Sequence, residues 1–288
     1  MMANRSLILV VHPTRPEAQS LAVQLADELS SAGFQIHSTA DIPKCNTHTQ
    51  NSILAEIAKA ELVLVLGGDG TILRGSALAH GTNVPVLGIN LGHVGFLAQI
   101  GKPTVKAIVQ AIVKKSLKIE RRMTLGYIVE RGGKELSRGW ALNEVTIERN
   151  TEAMIELFVQ VDHRPLSRWG CDGVICATPT GSTAYAFSAG GPVVWPDVEA
   201  VVLLPLAAHA LFSDPMVVSP ESQIAIDVES DVGMLSADGL RKEQLVAGDR
   251  VLLSSEKNYI HLAHLEDVPF ADRLVAKFKL PVDGWRGE

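Results

Sequence analysis

Four short runs in this chain combine residue types that can do chemistry. The first is Gly67-Gly68-Asp69-Gly70. It lies between an apolar run, Leu62 to Leu66, and a helical-looking segment from Thr71 to about His80. An apolar run bounded by glycines reads as a buried parallel strand. A glycine turn at the head of a helix presents free N–H groups and the positive end of the helix dipole, which suit a phosphate. An acid there repels phosphate, so Asp69 fits only if it handles a proton or a metal ion while the N–H groups hold phosphate. That combination points to phosphoryl transfer. The plainer reading is a tight turn with Asp69 as the N-cap.

The second run, Gly88 to Phe96, has three glycines in eight residues and marks close backbone packing or a second wall of the same crevice. Asn90 within it either reaches a ligand or closes its own turn. The third is Asn143-Glu144. An amide beside a carboxylate can grip two neighbouring hydroxyls, and the competing reading is a strand-end pair facing solvent. The fourth, Asp172 to Pro192, places Thr178, Thr180, Ser182 and Thr183 around a Pro and a Gly. Hydroxyls and turn N–H groups make a polar cradle for phosphate or ribose. Ala184 to Ala189 opens a helix that Thr183 can cap, and Tyr185 offers a flat face to a base or packs in the core.

These runs need elements to hold them. Strands at Ser6–Val11, Phe34–Thr39, Leu62–Leu66 and Val84–Ile89 alternate with helices at Pro16–Ala32, Thr47–Ala60, Thr71–His80 and Thr104–Lys115. That alternation means a parallel α/β sheet with its ligand at the carboxyl ends of the strands. Leu117 to Met123 reads as a charged connection. Short strands follow, among them Leu125–Glu130, Trp140–Glu148, Ile155–Val161, Val174–Ala177, Ser222–Val228 and Arg250–Ser254, and they predict an all-β second domain. The boundaries are 1–118 for an α/β domain, 119–262 for a β-rich domain, and 263–288 for a tail that packs back on the first. A helix with basic and apolar faces is expected at Phe270–Leu280.

The chain has 288 residues, enough for two domains. Its net charge of −6 and pI near 5.9 argue against nucleic-acid binding. No apolar run approaches the ~20 residues of a membrane span, and the start lacks a cleavable signal, so a cytoplasmic protein is expected. Three cysteines form no disulfide framework and read as inert thiols. His261 and His264 could share a helix face, but no third metal ligand is evident.

Taken in order, Gly67–Thr71, Asn143-Glu144 and Thr178–Tyr185 resemble the NAD kinases of the bacterial ATP/polyphosphate type. The likeness extends to Gly88–Phe96, to Arg122–Leu125 and to the closing Leu280–Gly287, which looks actinobacterial. The resemblance implies a Rossmann-like N-terminal domain and a β-sandwich-like C-terminal domain. It implies transfer of a phosphoryl group from ATP, or from polyphosphate in some members, to the 2′-hydroxyl of the adenosine ribose of NAD, giving NADP. A divalent metal, usually Mg²⁺, and a homodimer or homotetramer come with it. Asp69 would be the proton acceptor; Gly67, Gly68 and Gly70 would hold phosphate or NAD; Arg74, one helical turn on, could meet phosphate; Asn143 and Glu144 would grip ribose or adenine. Asp172 would contact the nicotinamide end, and Thr180 and Thr183, Ala184, Tyr185, Ala186, Phe187 and Ser188 would line the nucleotide pocket. Two positions depart from the pattern: Asp214 stands where relatives carry Arg before Pro215, and Leu240 stands where a polar residue is common. A lipid or sugar kinase shares only the glycine turn. A non-catalytic dinucleotide sensor would keep the pocket and make no NADP.

Overall fold

A computed structural model of the chain describes residues 5–92, 95–99, 101, 103–230 and 232–282. His93 and Val94 of the second run, and Asp283 to Gly287 of the closing motif, lie outside them. The chain divides into two compact units: one runs to Arg121 and resumes at Ile260, and the other is Arg122–Tyr259.

The first unit is built on β1 (Arg5–Val11), α1 (Pro16–Ser31), β2 (Phe34–Ser38), β3 (Asn46–Thr47), α2 (Gln50–Ile57), β4 (Val63–Leu66), α3 (Asp69–Ala79), β5 (Val86–Ile89), α4 (Val105–Lys114) and β6 (Lys118–Arg122). Pro16 starts α1, where a missing N–H is harmless, and Ala18, Ala22, Leu25, Ala26 and Leu29 form its buried stripe. Thr104 caps α4 by accepting the Ala107 N–H. The sheet runs β3-β2-β1-β4-β5, then the strand Ile260–His264, then β6. The pairs from β3 to β5, and that of Ile260–His264 with β5, are parallel. Strand order reverses between β1 and β4, so the crevice for ligands opens at their carboxyl ends. The glycine turn therefore follows the fourth strand, not the third, because the two-residue β3 escaped notice. Lys118–Arg122 is likewise an edge strand and not a mere connection. His261 and His264 lie on a strand, not a helix.

The second unit holds β7 (Leu125–Arg131), β8 (Lys134–Ala141), β9 (Glu144–Arg149), β10 (Ile155–Val161), β11 (Arg164–Cys171), β12 (Gly173–Ala177), β13 (Val201–Leu206), β14 (Met216–Val218), β15 (Ile224–Val228), β16 (Val232–Ala237), β17 (Arg241–Val246) and β18 (Asp249–Ser255). A short α5 (Tyr185–Ser188) separates β12 from β13. One sheet runs β11-β10-β15-β18-β7-β8 and the other β14-β13-β12-β9-β16-β17, and all their assigned pairs are antiparallel. Their inner faces meet in one core, Leu125, Leu157 and Ile226 against Ile147, Val174 and Leu235. The run read as one strand, Trp140–Glu148, is two: β8 belongs to the first sheet and β9 to the second, and the chain crosses at Leu142-Asn143.

After β18 the chain returns as β19 (Ile260–His264) and α6 (Phe270–Phe278). Arg273 of α6 is buried and donates to the Ala98 carbonyl and contacts His264 Nδ1. Phe96 packs against Phe270 and Phe278. No helix of the described residues is long and apolar enough to cross a membrane.

Candidate active site

In the first unit, the apolar β4 ends at Gly67, whose N–H donates to the Ile89 carbonyl. A Cβ at Gly75 would collide with Val65, and one at Gly88 with Ile72, so α3 lies closer to β4 and β5 than any larger residue allows. That close packing fixes the head of α3. Gly68 is its N-cap, and Asp69 is the first helical residue. Asp69 therefore does not act as an N-cap. Its carboxylate instead accepts from the Phe96 N–H at 3.2 Å and, at the limit of a hydrogen bond, from the Leu97 N–H at 3.4 Å. Gly95 is the close partner: a Cβ there would stand 2.7 Å from the Asp69 Cγ. Gly68 and Gly70 have open space where a side chain would be. The Thr71 and Ile72 N–H groups return to the Gly68 carbonyl, while the Asp69 and Gly70 N–H groups at the helix head have no intrahelical acceptor. The result is a carboxylate held by backbone donors at the head of a helix.

Asn90 is buried and its Oδ1 accepts from the Gly92 N–H at 3.0 Å. Its carbonyl thus serves its own turn. Arg74 is exposed on α3. Sequence reasoning passed over two residues of this rim. His12 hydrogen-bonds through its N–H to the Leu66 carbonyl, and the Arg15 guanidinium lies 3.3 Å from where a Cβ on Gly92 would stand. Both follow β1, across the switch point, and only the strand order shows it.

In the second unit, Asn143-Glu144 and the Thr178–Thr183 turn come together. The Thr178 N–H donates to the Asn143 carbonyl, and the Thr178 hydroxyl to the Leu142 carbonyl. A Cβ at Gly181 would overlap the Asn143 carbonyl, so only glycine lets the turn close on the dipeptide. Arg122 donates to the Thr180 hydroxyl at 3.1 Å. Neither Asn143 nor Glu144 faces solvent; they are 9% and 8% exposed. Thr183 does not cap α5: its hydroxyl donates to the Thr180 carbonyl, and Ala184 is the N-cap. Ala186 is buried against Ile175, Val194 and Val202, while Tyr185, Phe187 and Ser188 are exposed. Tyr185 at 40% exposure does not fit core packing, and its hydroxyl stands 3.5 Å from Glu148. Asp172 is ion-paired with Arg149 at 2.6 Å.

Glu144, Thr146 and Glu148 alternate onto the face of β9 opposite Val145 and Ile147. Burial, and then the neighbouring carboxylates of Asp238 and Glu148, push the Glu144 carboxyl up to about 7, against the pull of the Tyr185 N–H. Its Oε2 is buried with no hydrogen-bond partner. A buried acceptor left open in a polar stripe is fitted to receive a donor from a ligand. Burial raises the thiols of Cys171 to about 11 and Cys176 to about 12, which makes both unreactive.

Comparison with known proteins bears on both units. Residues 7–117 match the ATP-NAD kinase N-terminal domain, and residues 142–265 match the ATP-NAD kinase C-terminal domain. The chain is 46% identical to an NAD kinase of Thermobifida fusca, over 99% of this chain and 92% of that one. It is 43% identical to that of Mycobacterium bovis, over the whole of both. Among solved structures, yeast NADH kinase complexed with NADH superposes with a TM-score of 0.88 at 25% identity, covering 99% of this chain and 91% of that one. An NAD kinase from Archaeoglobus fulgidus in complex with ATP superposes at 0.73 and 26%, covering 96% and 98%.

Proposed function

Since the chain belongs to the NAD kinase family, whose members transfer a phosphoryl group from ATP to the 2′-hydroxyl of the adenosine ribose of NAD, we propose which of its residues do so. Asp69 is the proton acceptor for that hydroxyl. The observation supporting this is its carboxylate at the head of α3, aimed by the Phe96 N–H and confined by Gly95. A carboxylate is a weak base toward an alcohol, so its larger effect is to orient the hydroxyl for in-line attack. The N–H groups of Gly68 and Gly70, with Arg74, hold phosphate. Asn143 and Glu144 grip the adenosine ribose or its base, Tyr185 stacks, Thr180, Thr183, Ala184, Phe187 and Ser188 line the pocket while the buried Ala186 anchors the turn from behind, and Asp172 meets the nicotinamide end after release from Arg149.

A divalent metal, Mg²⁺ by preference, fits this arrangement as one carried by the donor. Among the described residues no three His, Cys, Asp or Glu side chains cluster to hold a resident ion. Such an ion keeps waters and substrate oxygens as its ligands. When bound, it would neutralise charge on the donor phosphates and leave Asp69 to the hydroxyl proton. Inorganic polyphosphate, which needs only the phosphate contacts assigned to Gly68, Gly70 and Arg74, is read as a second donor. Exposed Leu211, Phe212 and Val217, in and beside the loop carrying Asp214, support a homodimer or homotetramer, read by light scattering.

The test is NADP formation from NAD, ATP and Mg²⁺, with Asp69→Asn alongside and polyphosphate in a parallel mix. The wild type makes NADP. The folded variant binds NAD and is slower by two or more orders of magnitude, about the scale of a general base. Activity within a few-fold of wild type would remove Asp69 from the chemical step.

A further inference from the structure

The chain between β8 and β9 belongs to neither sheet. The N–H and carbonyl groups of Leu142 and Asn143 are outside both ladders, yet buried groups of this kind need partners. The carbonyls go to Thr178, as described. The two N–H groups go to one side chain: Leu142 N–H donates to Asp238 Oδ2 at 2.9 Å and Asn143 N–H to Oδ1 at 2.7 Å. The Asp238 N–H returns the contact by donating to the Glu144 carbonyl at 3.0 Å. Asp238 sits in the turn between β16 and β17 at φ +54°, a conformation Asp tolerates better than most residues. It is 8% exposed, and Arg241 pairs with it at 2.9 Å while also donating to the Trp140 carbonyl.

This arrangement is poor for stability alone. It buries a second carboxylate beside Glu144, whose own Oε2 lacks a partner. Only a carboxylate, however, offers two acceptors to two consecutive N–H groups, since Asn has one oxygen and would turn its NH₂ against the other donor. We propose that Asp238 is a positioning residue for the phosphoryl-transfer reaction: it latches the Leu142–Glu144 backbone so that the Asn143 and Glu144 side chains are preset for the adenosine end of NAD. The proposal rests on the assignment of Asn143 and Glu144 to the dinucleotide.

The experiment compares steady-state kinetics of Asp238→Asn, Asn143→Ala, Glu144→Gln and the triple variant, each checked for folding by circular dichroism. Loss of the latch raises the KM for NAD about tenfold, leaves kcat at saturating NAD within about threefold, and leaves the KM for ATP unchanged. Because Asp238 acts through the other two, it adds little in the triple variant. If Asn143→Ala and Glu144→Gln leave the KM for NAD unchanged, the dinucleotide assignment fails and takes the latch with it. If they raise it and a folded Asp238→Asn does not, the latch alone is wrong. A merely structural Asp238 would lower the melting temperature with no selective change in KM. Should Asp238→Asn not fold, Arg241→Lys decides: one ammonium cannot span Asp238 and the Trp140 carbonyl as the guanidinium does. It raises the KM for NAD by a smaller factor, and an unchanged KM overturns the proposal.

Discussion

Replacing Glu144 by Gln exchanges a buried carboxyl that titrates near neutrality for a neutral group of the same shape. The physical chemistry fixes both the sign and the pH window. In the folded protein the carboxyl titrates at about 7, raised from 4.5 by burial first and by Asp238 and Glu148 next. A raised carboxyl binds its proton more tightly folded than unfolded, so its favourable contribution is full below about pH 4.5 and is lost as pH rises toward 7. About two and a half pH units correspond to on the order of 3 kcal/mol. The variant should therefore match wild type near pH 4, exceed it by about 1 kcal/mol at pH 5 and by up to about 3 kcal/mol at pH 8.5, while binding NAD less well. Urea unfolding read by tryptophan fluorescence suits the test, because Trp140, Trp169 and Trp195 all lie in the second unit. A stability difference that is flat between pH 5 and 8.5, or a variant weaker at the alkaline end, would refute the reasoning. Either result would mean that water or a rotated side chain relieves the carboxylate.

Gly95→Ala forces a methyl group into the Asp69 carboxylate, so turnover should fall at least tenfold while the melting temperature shifts only slightly, as read by coupled NADP assay and thermal melts. Tyr185→Ala should raise the KM for NAD more than it lowers kcat, since the ring is exposed and supports no core; an unchanged KM would mean it contacts no base. Cys171 and Cys176 should resist a thiol reagent at pH 8 until denaturant is added, and rapid labelling of the native protein would show that their burial is broken by motion.

The parallel sheet and its carboxyl-end crevice were legible because Leu62–Leu66 and Leu7–Val11 are unbroken apolar runs and Gly67 to Gly70 stops one of them sharply. The partnership of Asn143-Glu144 with Thr178–Thr183 was legible only as composition. Nothing in the spacing says that Gly181 must lie against the Asn143 carbonyl. Asp238 was hidden for the same reason: its two donors are 95 and 96 residues away in sequence, and a local pattern holds no register between distant strands. The short strands Asn46–Thr47 and Lys118–Arg122 escaped because an edge strand needs neither apolar alternation nor length. The helical cap assigned to Thr183 failed because the helix starts one residue later, at Tyr185, which leaves Ala184 in the cap position and Thr183 in the preceding turn.

The insertion of Ile260–His264 between β5 and β6 has a consequence for biosynthesis. During translation β5 is complete some 170 residues before its neighbour emerges, so the nascent first unit carries an unpaired apolar edge throughout synthesis of the second. A ribosome stalled before Ile260 would release a chain with that edge open, a template for aggregation. The α/β unit thus completes its sheet last, although most of its residues are made first.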